Sequence, residues 1–213
     1  MLNAHVQFGC GFAAPSTWRN FDASPTLRFE RLPVLGRLYT KNGRRFPANV
    51  EYGDILLGLP VPRGSCAGVY CSHVLQDLPL DQCRLALQQT FELLRPGGLF
   101  RMVLPDLEYS VRKYIESADP LAAMLFMREG KFGVEVAPRR LSTKLARSLE
   151  SSLGSRQRWM WDFKSLAYEL KQAGFSSIRR CEAGDAADPV FADVEDPRRF
   201  QYALAIECAK ERT

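Results

Sequence analysis

Short apolar runs alternate with stretches of helical periodicity along most of the chain. The runs are bounded by turn-forming residues, as buried strands are. They comprise His5–Phe8, Trp18–Asp22, Asn49–Tyr52, Gly68–Ser72 and Leu99–Leu104. Apolar positions recur every three or four residues over 26–39, 80–94 and 163–173, which predicts helices there. This alternation of strand and helix predicts the α/β class, a parallel sheet with helices on both faces.

The last part of the sequence departs from this alternation in two places. Ser177–Cys181 and Phe200–Cys208 are apolar runs with no helical pattern between them, which predicts an antiparallel pair at one edge of the sheet. Residues 106–157 form one long helical stretch without a strand. Because loops at the carboxyl ends of strands cover the ligand crevice of an open α/β sheet, residues 107–158 are predicted to be a helical lid. Residues 1–213 otherwise have the length of a single domain.

Composition places the chain among ordinary globular proteins, with 46% apolar and 25% charged residues. No stretch approaches the roughly 18 uninterrupted apolar residues of a membrane-spanning helix, and the N-terminus lacks the pattern of a secretory signal. The six cysteines are irregularly spaced with no Cys-x-x-Cys pair, which favours reduced thiols in a cytoplasmic protein over disulfides or a zinc site. With only two histidines, no metal centre is predicted.

The net charge of +5 is concentrated in one stretch, residues 139–158. Its basic residues are Arg139, Arg140, Lys144, Arg147, Arg156 and Arg158, against the single acid Glu150. Such a segment indicates an anionic partner or surface, or else a solvated helix face. Leucines at 141, 145, 149 and 153 add an apolar stripe, which either packs on the domain or lies on a membrane surface or a lipid-bearing substrate.

The candidate chemistry begins where the first two predicted strands end. Gly9 and Gly11 follow the first strand as Gly-x-Gly, and without a Cβ the backbone there can approach a ligand closely. This signal is weak alone, since glycine-rich turns are common. Asp22 ends the second strand, where a carboxylate can accept hydrogen bonds from both hydroxyls of a ribose. The same aspartate can instead cap the helix that follows Ser24-Pro25.

The third and fourth strands also end in polar residues. Asp54 follows the third strand, where it can accept a hydrogen bond from the exocyclic amine of an adenine while Ile55 contacts the ring. Ser72 and His73 end the central fourth strand. The next helix runs into Leu94-Arg95-Pro96-Gly97-Gly98-Leu99, in which proline stops the helix and glycine is predicted to form its C-terminal cap.

Taken in order, these motifs resemble those of class I methyltransferases that use S-adenosylmethionine, in particular small bacterial ones of the type 11-like kind. The phrase from Leu94 to Phe100 is similar to the Leu-(Lys/Arg)-Pro-Gly-Gly turn of that family, its most recognisable motif. The resemblance implies a Rossmann-like, mostly parallel sheet of seven strands with an antiparallel last strand, and S-adenosylmethionine as the cofactor. It implies these cofactor-binding residues: Phe8, Gly9, Cys10, Gly11, Asp22, Asp54, Ile55 and Ser72.

Several positions depart from the family pattern. Gln7 stands where many relatives carry an acid, and Phe12 stands in the place of a third glycine. Gln76-Asp77 replaces a frequent Glu-His pair, and the ten residues between Gly11 and Asp22 are too few for the usual long helix. These changes favour a second hypothesis, a non-catalytic cofactor-binding or scaffolding protein with the same fold.

Two residues, His73 and Asp106, are the candidates for catalysis. Methyl transfer is an in-line displacement, so the enzyme aligns the reactants and removes the acceptor's proton. His73 follows the central strand, and a neutral imidazole there is a suitable base for an acceptor hydroxyl, although the residue can equally be a half-buried one that opens the turn. Asp106 ends its strand on the same sheet edge, and it can instead cap a helix beginning at Leu107.

Small bacterial methyltransferases of this kind are often associated with surface-polysaccharide and glycan pathways, so the resemblance implies O-methylation of a small molecule, with the hydroxyl of a sugar or glycolipid as the preferred acceptor. A phosphorylated or lipid-linked saccharide would suit the basic stretch at 139–158, where peripheral membrane contact is also predicted. A nicotinamide-dependent oxidoreductase is disfavoured because a dinucleotide motif places its acid about 20 residues after the glycines. Nucleic-acid methylation is disfavoured because no long basic face with interleaved aromatics is visible outside the lid.

Overall fold

The computed structural model describes residues 4–33, 36, 44–130 and 159–212. Seven strands form one sheet in the order β3-β2-β1-β4-β5-β7-β6. The strands are β1 (Ala4–Phe8), β2 (Arg19–Asp22), β3 (Val50–Tyr52), β4 (Cys66–Ser72), β5 (Leu94–Pro105), β6 (Ser176–Arg180) and β7 (Ala203–Ala209). Strand β7 is antiparallel to both of its neighbours and all other pairs are parallel, so the predicted Rossmann-like sheet is confirmed.

Helices connect most of these strands. They are α1 (Pro25–Glu30), α2 (Leu80–Leu93), α3 (Leu107–Glu116), α4 (Ala122–Glu129), α5 (Phe163–Gln172) and α6 (Pro197–Phe200), with short 3-10 turns at Leu75–Asp77 and Pro189–Asp193. Helix α1 ends at Glu30 although helical spacing continues to 39. Pro33 explains the early end, because a proline disfavours the helical conformation of the residue before it. Residues 34–35 and 37–43 of that predicted helix lie outside the described residues.

Helix α2 passes directly into β5, so the predicted glycine cap is wrong. The residue after the helix, Leu94, already has extended backbone angles. Pro96 accounts for this because it disfavours helical geometry at Arg95. Gly97, with a φ of +75°, lies instead in an irregularity of the β4–β5 pairing. A Cβ on Gly98 would stand 2.8 Å from the carbonyl oxygen of Cys66 on β4. Glycine at this position therefore allows β5 to lie close to β4.

The two faces of the sheet bury separate apolar clusters. Val69 and Cys71 of β4 belong to the main core, while Tyr70 between them belongs to the cluster on the other face. Helices α2 and α5 supply the main core with Cys83, Ala86, Leu87, Leu166 and Leu170. Phe191, in the second 3-10 turn, is fully buried in the other cluster. The sheet is therefore covered on both sides, as predicted.

The predicted lid begins at α3, which leaves the carboxyl end of β5. Neither α3 nor α4 contains a buried residue, and the chain returns to the sheet at Trp161, which bridges Asp106. The basic stretch at 139–158 and its leucine stripe lie outside the described residues. Among the described residues, no helix is long and apolar enough to cross a membrane.

Candidate active site

The predicted site residues follow strands whose carboxyl ends meet at one edge of the sheet. Phe8 of β1 lies opposite Phe21 of β2 and Cys71 of β4, and Asp22 lies opposite Tyr52 of β3. The four strands are parallel, so the segments that begin at Gly9, Ala23, Gly53 and His73 leave the sheet side by side. Ligands of open α/β sheets bind at this edge.

The glycine loop after β1 leaves space above the strand ends. Gly9 and Gly11 have φ values of 65° and 54°, a conformation that glycine adopts without strain. A Cβ on Gly9 would overlap Val74, which follows β4, so Gly9 is required for packing. A Cβ on Gly11 would meet no heavy atom of the described residues within 4 Å. Gly11 therefore borders the space in which a ligand can approach the backbone.

Asp22 is tied to this loop by both carboxylate oxygens. Its Oδ2 accepts a hydrogen bond from the N–H of Gly11 at 2.9 Å, and its Oδ1 accepts one from the N–H of Ser24 at 2.7 Å. The cap of α1 is Ser24, whose Oγ accepts from the N–H of Thr26, so Asp22 is not the capping residue. Each carboxylate oxygen has a second lone pair, and Asp22 can still accept hydrogen bonds from ribose hydroxyls.

The amide of Gln7, where relatives often carry an acid, holds the short connection from β1 to β2. Gln7 is buried, and its Nε2 donates to the carbonyl of Ala13 at 2.7 Å and to Oδ1 of Asn20 at 2.5 Å. The Nδ2 of Asn20 donates in turn to the carbonyls of Pro15 and Trp18. Two side-chain amides thus order a loop that has no helix of its own.

The side chains of Phe8 and Cys10, which flank Gly9, are both buried in apolar clusters. Phe8 is buried in the main core and Cys10 in a smaller cluster. Burial, together with the nearby charge of Asp22, raises the pKa of the Cys10 thiol to about 12. The thiol therefore stays protonated, and the contribution of this residue to a ligand site is its backbone.

Asp54 and Ile55 occupy the turn after β3. The N–H of Gly53 donates to the carbonyl of Asp22 at 3.2 Å, which joins this turn to the end of β2. Asp54 is half-buried, and its Oδ1 accepts a hydrogen bond from the N–H of Leu56 at 2.9 Å. Ile55 is 5% exposed and packs in the main core. The turn that carries Asp54 is thus tied to the end of β2 through Gly53, and Ile55 anchors it in the core.

His73 has an unusual backbone conformation. Its φ is +58°, which is uncommon for a residue with a side chain and is held here by a hydrogen bond from its N–H to the carbonyl of Val103 at 2.7 Å. The imidazole is half-buried, and its Nδ1 lies 3.1 Å from Oγ of the buried Ser72. Because this backbone conformation is not extended, His73 does not continue the side-chain alternation of β4, which ends at Ser72.

Asp106 has structural partners for both of its oxygens. Its Oδ1 accepts from the N–H of Glu108 at 2.9 Å and so caps α3, which is the alternative that the sequence left open. Its Oδ2 lies 3.2 Å from Nη1 of Arg180, and Nη2 of the same arginine lies 3.0 Å from Oε2 of Glu108. A base in this place would have to give up its ion pair with Arg180.

Two buried polar atoms near the same edge have no hydrogen-bond partner among the described residues. They are Oε1 of Gln76, after β4, and Nε1 of Trp161, beside Asp106. The backbone N–H of Trp159 donates to the carbonyl of Gln76 at 3.1 Å, so the two segments are in contact. Buried polar atoms are rarely left unpaired, and these two are available to ordered water or to a bound molecule.

Sequence reasoning missed two residues at this edge that come from the connection between β6 and β7. Arg199 of α6 donates from Nη1 to the carbonyl of Ser72 at 3.3 Å. Tyr202, with a φ of 60° and 63% exposed, stacks on Tyr109 of α3 with ring centroids 4.8 Å apart. Neither residue lies near a recognisable motif, and only the antiparallel β7 brings them to the carboxyl edge.

The sheet order, the glycine loop and the strand-end aspartate together define the fold of class I S-adenosylmethionine-dependent methyltransferases. The antiparallel β7 between β5 and β6 also separates it from the 3-2-1-4-5-6 order of dinucleotide-binding domains. Among the residues that the structure describes, there is no cluster of side chains suited to a metal ion.

Comparison with solved structures supports this assignment of the fold. The chain is similar to an S-adenosylmethionine-dependent methyltransferase of Thermotoga maritima, described as a possible histamine N-methyltransferase, with 15% identity and a TM-score of 0.52 over 99% of this chain and 84% of that one. It is also similar to such a methyltransferase of Methanosarcina mazei, with 14% identity and a TM-score of 0.50 over 100% and 94% of the two chains. No protein-family model and no curated protein sequence matches the chain.

Proposed function

We propose that this protein is an S-adenosylmethionine-dependent methyltransferase that methylates a hydroxyl of a small molecule, with a sugar or glycolipid as the preferred acceptor. The observation that carries the proposal is the hydrogen bond between Asp22 and Gly11 on the edge where His73 also lies. One edge of the sheet thus carries a carboxylate that can accept hydrogen bonds from a ribose, a backbone loop with space for a ligand, and a candidate base.

The residues at this edge fit the cofactor. The backbone from Phe8 to Gly11 would face its amino-acid part, because Gly11 borders open space. Asp22 would accept from the ribose hydroxyls through its second lone pairs, and Asp54 would accept from the adenine amine. Ile55 would lie below the ring and Ser72 beside the reacting end. When bound, S-adenosylmethionine supplies a methyl group on a positively charged sulfur.

His73 is the residue that we assign to proton removal. In the tautomer whose Nδ1–H donates to Oγ of Ser72, the basic lone pair is on Nε2. That nitrogen would take the hydroxyl proton of the acceptor as the methyl group is transferred. We assign Asp106 a positioning role, because it caps α3 and pairs with Arg180.

The exposed ring of Tyr202 supports a sugar acceptor. Tyr202 immediately precedes β7, whose first residue, Ala203, pairs with Pro105, the residue before Asp106. A stacked aromatic face beside polar groups suits a ring that has both apolar C–H groups and hydroxyls.

The experiment is transfer of a radioactive methyl group from S-adenosylmethionine to a panel of sugars, sugar phosphates and extracted glycolipids. Label in an acceptor that requires His73, tested with His73→Gln, would support O-methylation. Cofactor binding without transfer to any of these would instead favour the non-catalytic alternative. The loss of acids at Gln7 and Gln76 is the observation behind that alternative.

A further inference from the structure

Arg199 and His73 contact the same residue at the end of β4. Nη1 of Arg199 donates to the backbone carbonyl of Ser72 at 3.3 Å, and Oγ of Ser72 lies 3.1 Å from Nδ1 of His73. The helix that carries Arg199, α6, belongs to the connection between β6 and β7, and its arginine reaches the carboxyl end of β4. A cation and the candidate base therefore both contact Ser72.

Within the part of the chain that the structure describes, the guanidinium of Arg199 forms no close ion pair, although its charge helps to lower the pKa of Asp196. No carboxylate there lies within 4.0 Å of its guanidinium, although the side chain is anchored. The nearest acids in sequence are engaged elsewhere: Asp196 pairs with Arg198 at 2.8 Å, and Glu195 pairs with Arg101 at 2.6 Å.

Other arginines near this edge differ from Arg199 in this respect. Arg180 pairs with Asp106 and Glu108, Arg101 with Glu195 and Glu207, and Arg198 with Asp196. An exposed arginine is usually solvated and contributes little. Arg199 differs from that ordinary case because a carbonyl at a strand end fixes it next to a residue with strained backbone, His73.

We propose that Arg199 binds an anionic group of the methyl acceptor, a phosphate or a carboxylate, and thereby places the acceptor hydroxyl at His73. A guanidinium presents several N–H donors in one plane and can bind either anion through two of them. One donor of Arg199 is used by Ser72, which fixes the direction of the others. This inference rests on the proposed function and narrows its substrate class to phosphorylated or acidic sugars.

The position also limits where the anion stands on the acceptor. Arg199 and His73 both touch Ser72, so the anionic group and the methylated hydroxyl belong to the same ring or to directly linked groups. A neutral sugar would leave the guanidinium without its partner and is expected to be a poor acceptor.

The test uses the fact that the chain has only two histidines. His5 pairs with Asp188 at 2.8 Å on the first strand and serves as an internal reference for the ring resonances of His73. Protein saturated with S-adenosylhomocysteine is titrated with methyl phosphate, and in a second arm with acetate, while the histidine ring signals are followed by NMR. The arm with the tighter binding identifies the preferred anion.

Wild type is expected to show a saturable shift of His73 and none of His5. Arg199→Gln should weaken the anion's binding by about tenfold or more, because a charged donor is lost. Arg198→Gln is the matched control, because Arg198 pairs with Asp196 and not with Ser72, and this variant should bind the anion like wild type. Equal binding by Arg199→Gln and wild type, or no shift of His73 with either anion, would overturn the inference.

Two further titrations separate this inference from the proposed function: one of the protein with S-adenosylhomocysteine alone, and one with the anion in its absence. Failure of the cofactor product to bind would contradict the methyltransferase proposal, while an anion response that depends on Arg199 would still establish the anion site. Cofactor binding with no such response would leave the methyltransferase proposal standing and remove the role of Arg199.

Discussion

The carboxylate of Asp22 accepts a hydrogen bond from the backbone N–H of Gly11 at 2.9 Å, so the proposed ribose acceptor also fixes the glycine loop. The other oxygen of Asp22 accepts from the N–H of Ser24 at the start of α1. One side chain thus couples the ends of β1 and β2. This coupling explains how the chain forms the loop without the long helix that usually separates the two strands.

The first prediction concerns Asp22→Asn. Asparagine keeps the size of the side chain but replaces one acceptor oxygen by a donor, which would face a backbone N–H. We expect affinity for S-adenosylhomocysteine to fall about ten- to a hundredfold, as for the loss of one charge-assisted contact. Calorimetry measures this, and Asp81→Asn is the control because its side chain is 96% exposed on α2. Unchanged affinity in Asp22→Asn would remove Asp22 from the site.

The second prediction separates the two glycines of the loop. Gly9→Ala should lower the free energy of unfolding more than Gly11→Ala, because its Cβ would overlap Val74 while that of Gly11 meets open space. In each variant, the alanine also destabilises the folded state by roughly 1–2 kcal/mol, because its backbone must keep a positive φ. Urea denaturation checks the order, and the double variant Gly9→Ala with Val74→Ala should recover part of the loss. Equal stability of the two single variants would be inconsistent with the packing described.

The third prediction distinguishes the roles of His73 and Asp106. If His73 is the base, His73→Gln should lower kcat about 10²- to 10⁴-fold. Asp106→Asn keeps an effective cap on α3 and loses only the charge that faces Arg180, so kcat should change a few-fold at most. Steady-state methyl transfer at saturating cofactor provides the comparison. The reverse order of the two effects would assign the base to Asp106.

The fourth prediction concerns acid stability. Burial acts to raise the pKa of the Asp185 carboxyl, but hydrogen bonds from Arg179, from the backbone of Glu182 and from Arg101 lower it to about 2. The unfolded chain therefore binds a proton at Asp185 at higher pH than the folded chain does. This contribution to stability is present above the ordinary carboxyl pKa and is lost as the pH falls toward about 2.

Equilibrium unfolding between pH 5 and about 2 checks this contribution. Asp185→Asn should flatten the fall in stability over that range. Asp81→Asn, in which an exposed carboxylate is removed, should leave the slope as in wild type. A slope in Asp185→Asn as steep as that of wild type would show that the carboxylate does not carry the effect.

Much of the fold could be predicted from the sequence because local patterns determine it. The strand ends that hold Gly9, Asp22, Asp54 and Ser72 are marked by short apolar runs followed by turn residues. The antiparallel last strand was predicted from the absence of a helical pattern before it. These features depend on periodicity and turn chemistry within a few residues.

The remainder depends on contacts between distant segments, which no local pattern records. The left-handed backbone of His73 is held by Val103 on the neighbouring strand. The ion pair of Asp106 comes from Arg180, 74 residues further along the chain. The sequence Arg198-Arg199 does not indicate which arginine pairs with Asp196 and which contacts Ser72. Sheet topology decides all three.

The most direct test of the central claim is calorimetric titration of the wild-type protein with S-adenosylhomocysteine, with NADH as the control ligand. The Gly11 loop and Asp22 predict micromolar binding of S-adenosylhomocysteine and no binding of NADH. Absence of S-adenosylhomocysteine binding, or binding of NADH in its place, would contradict the account.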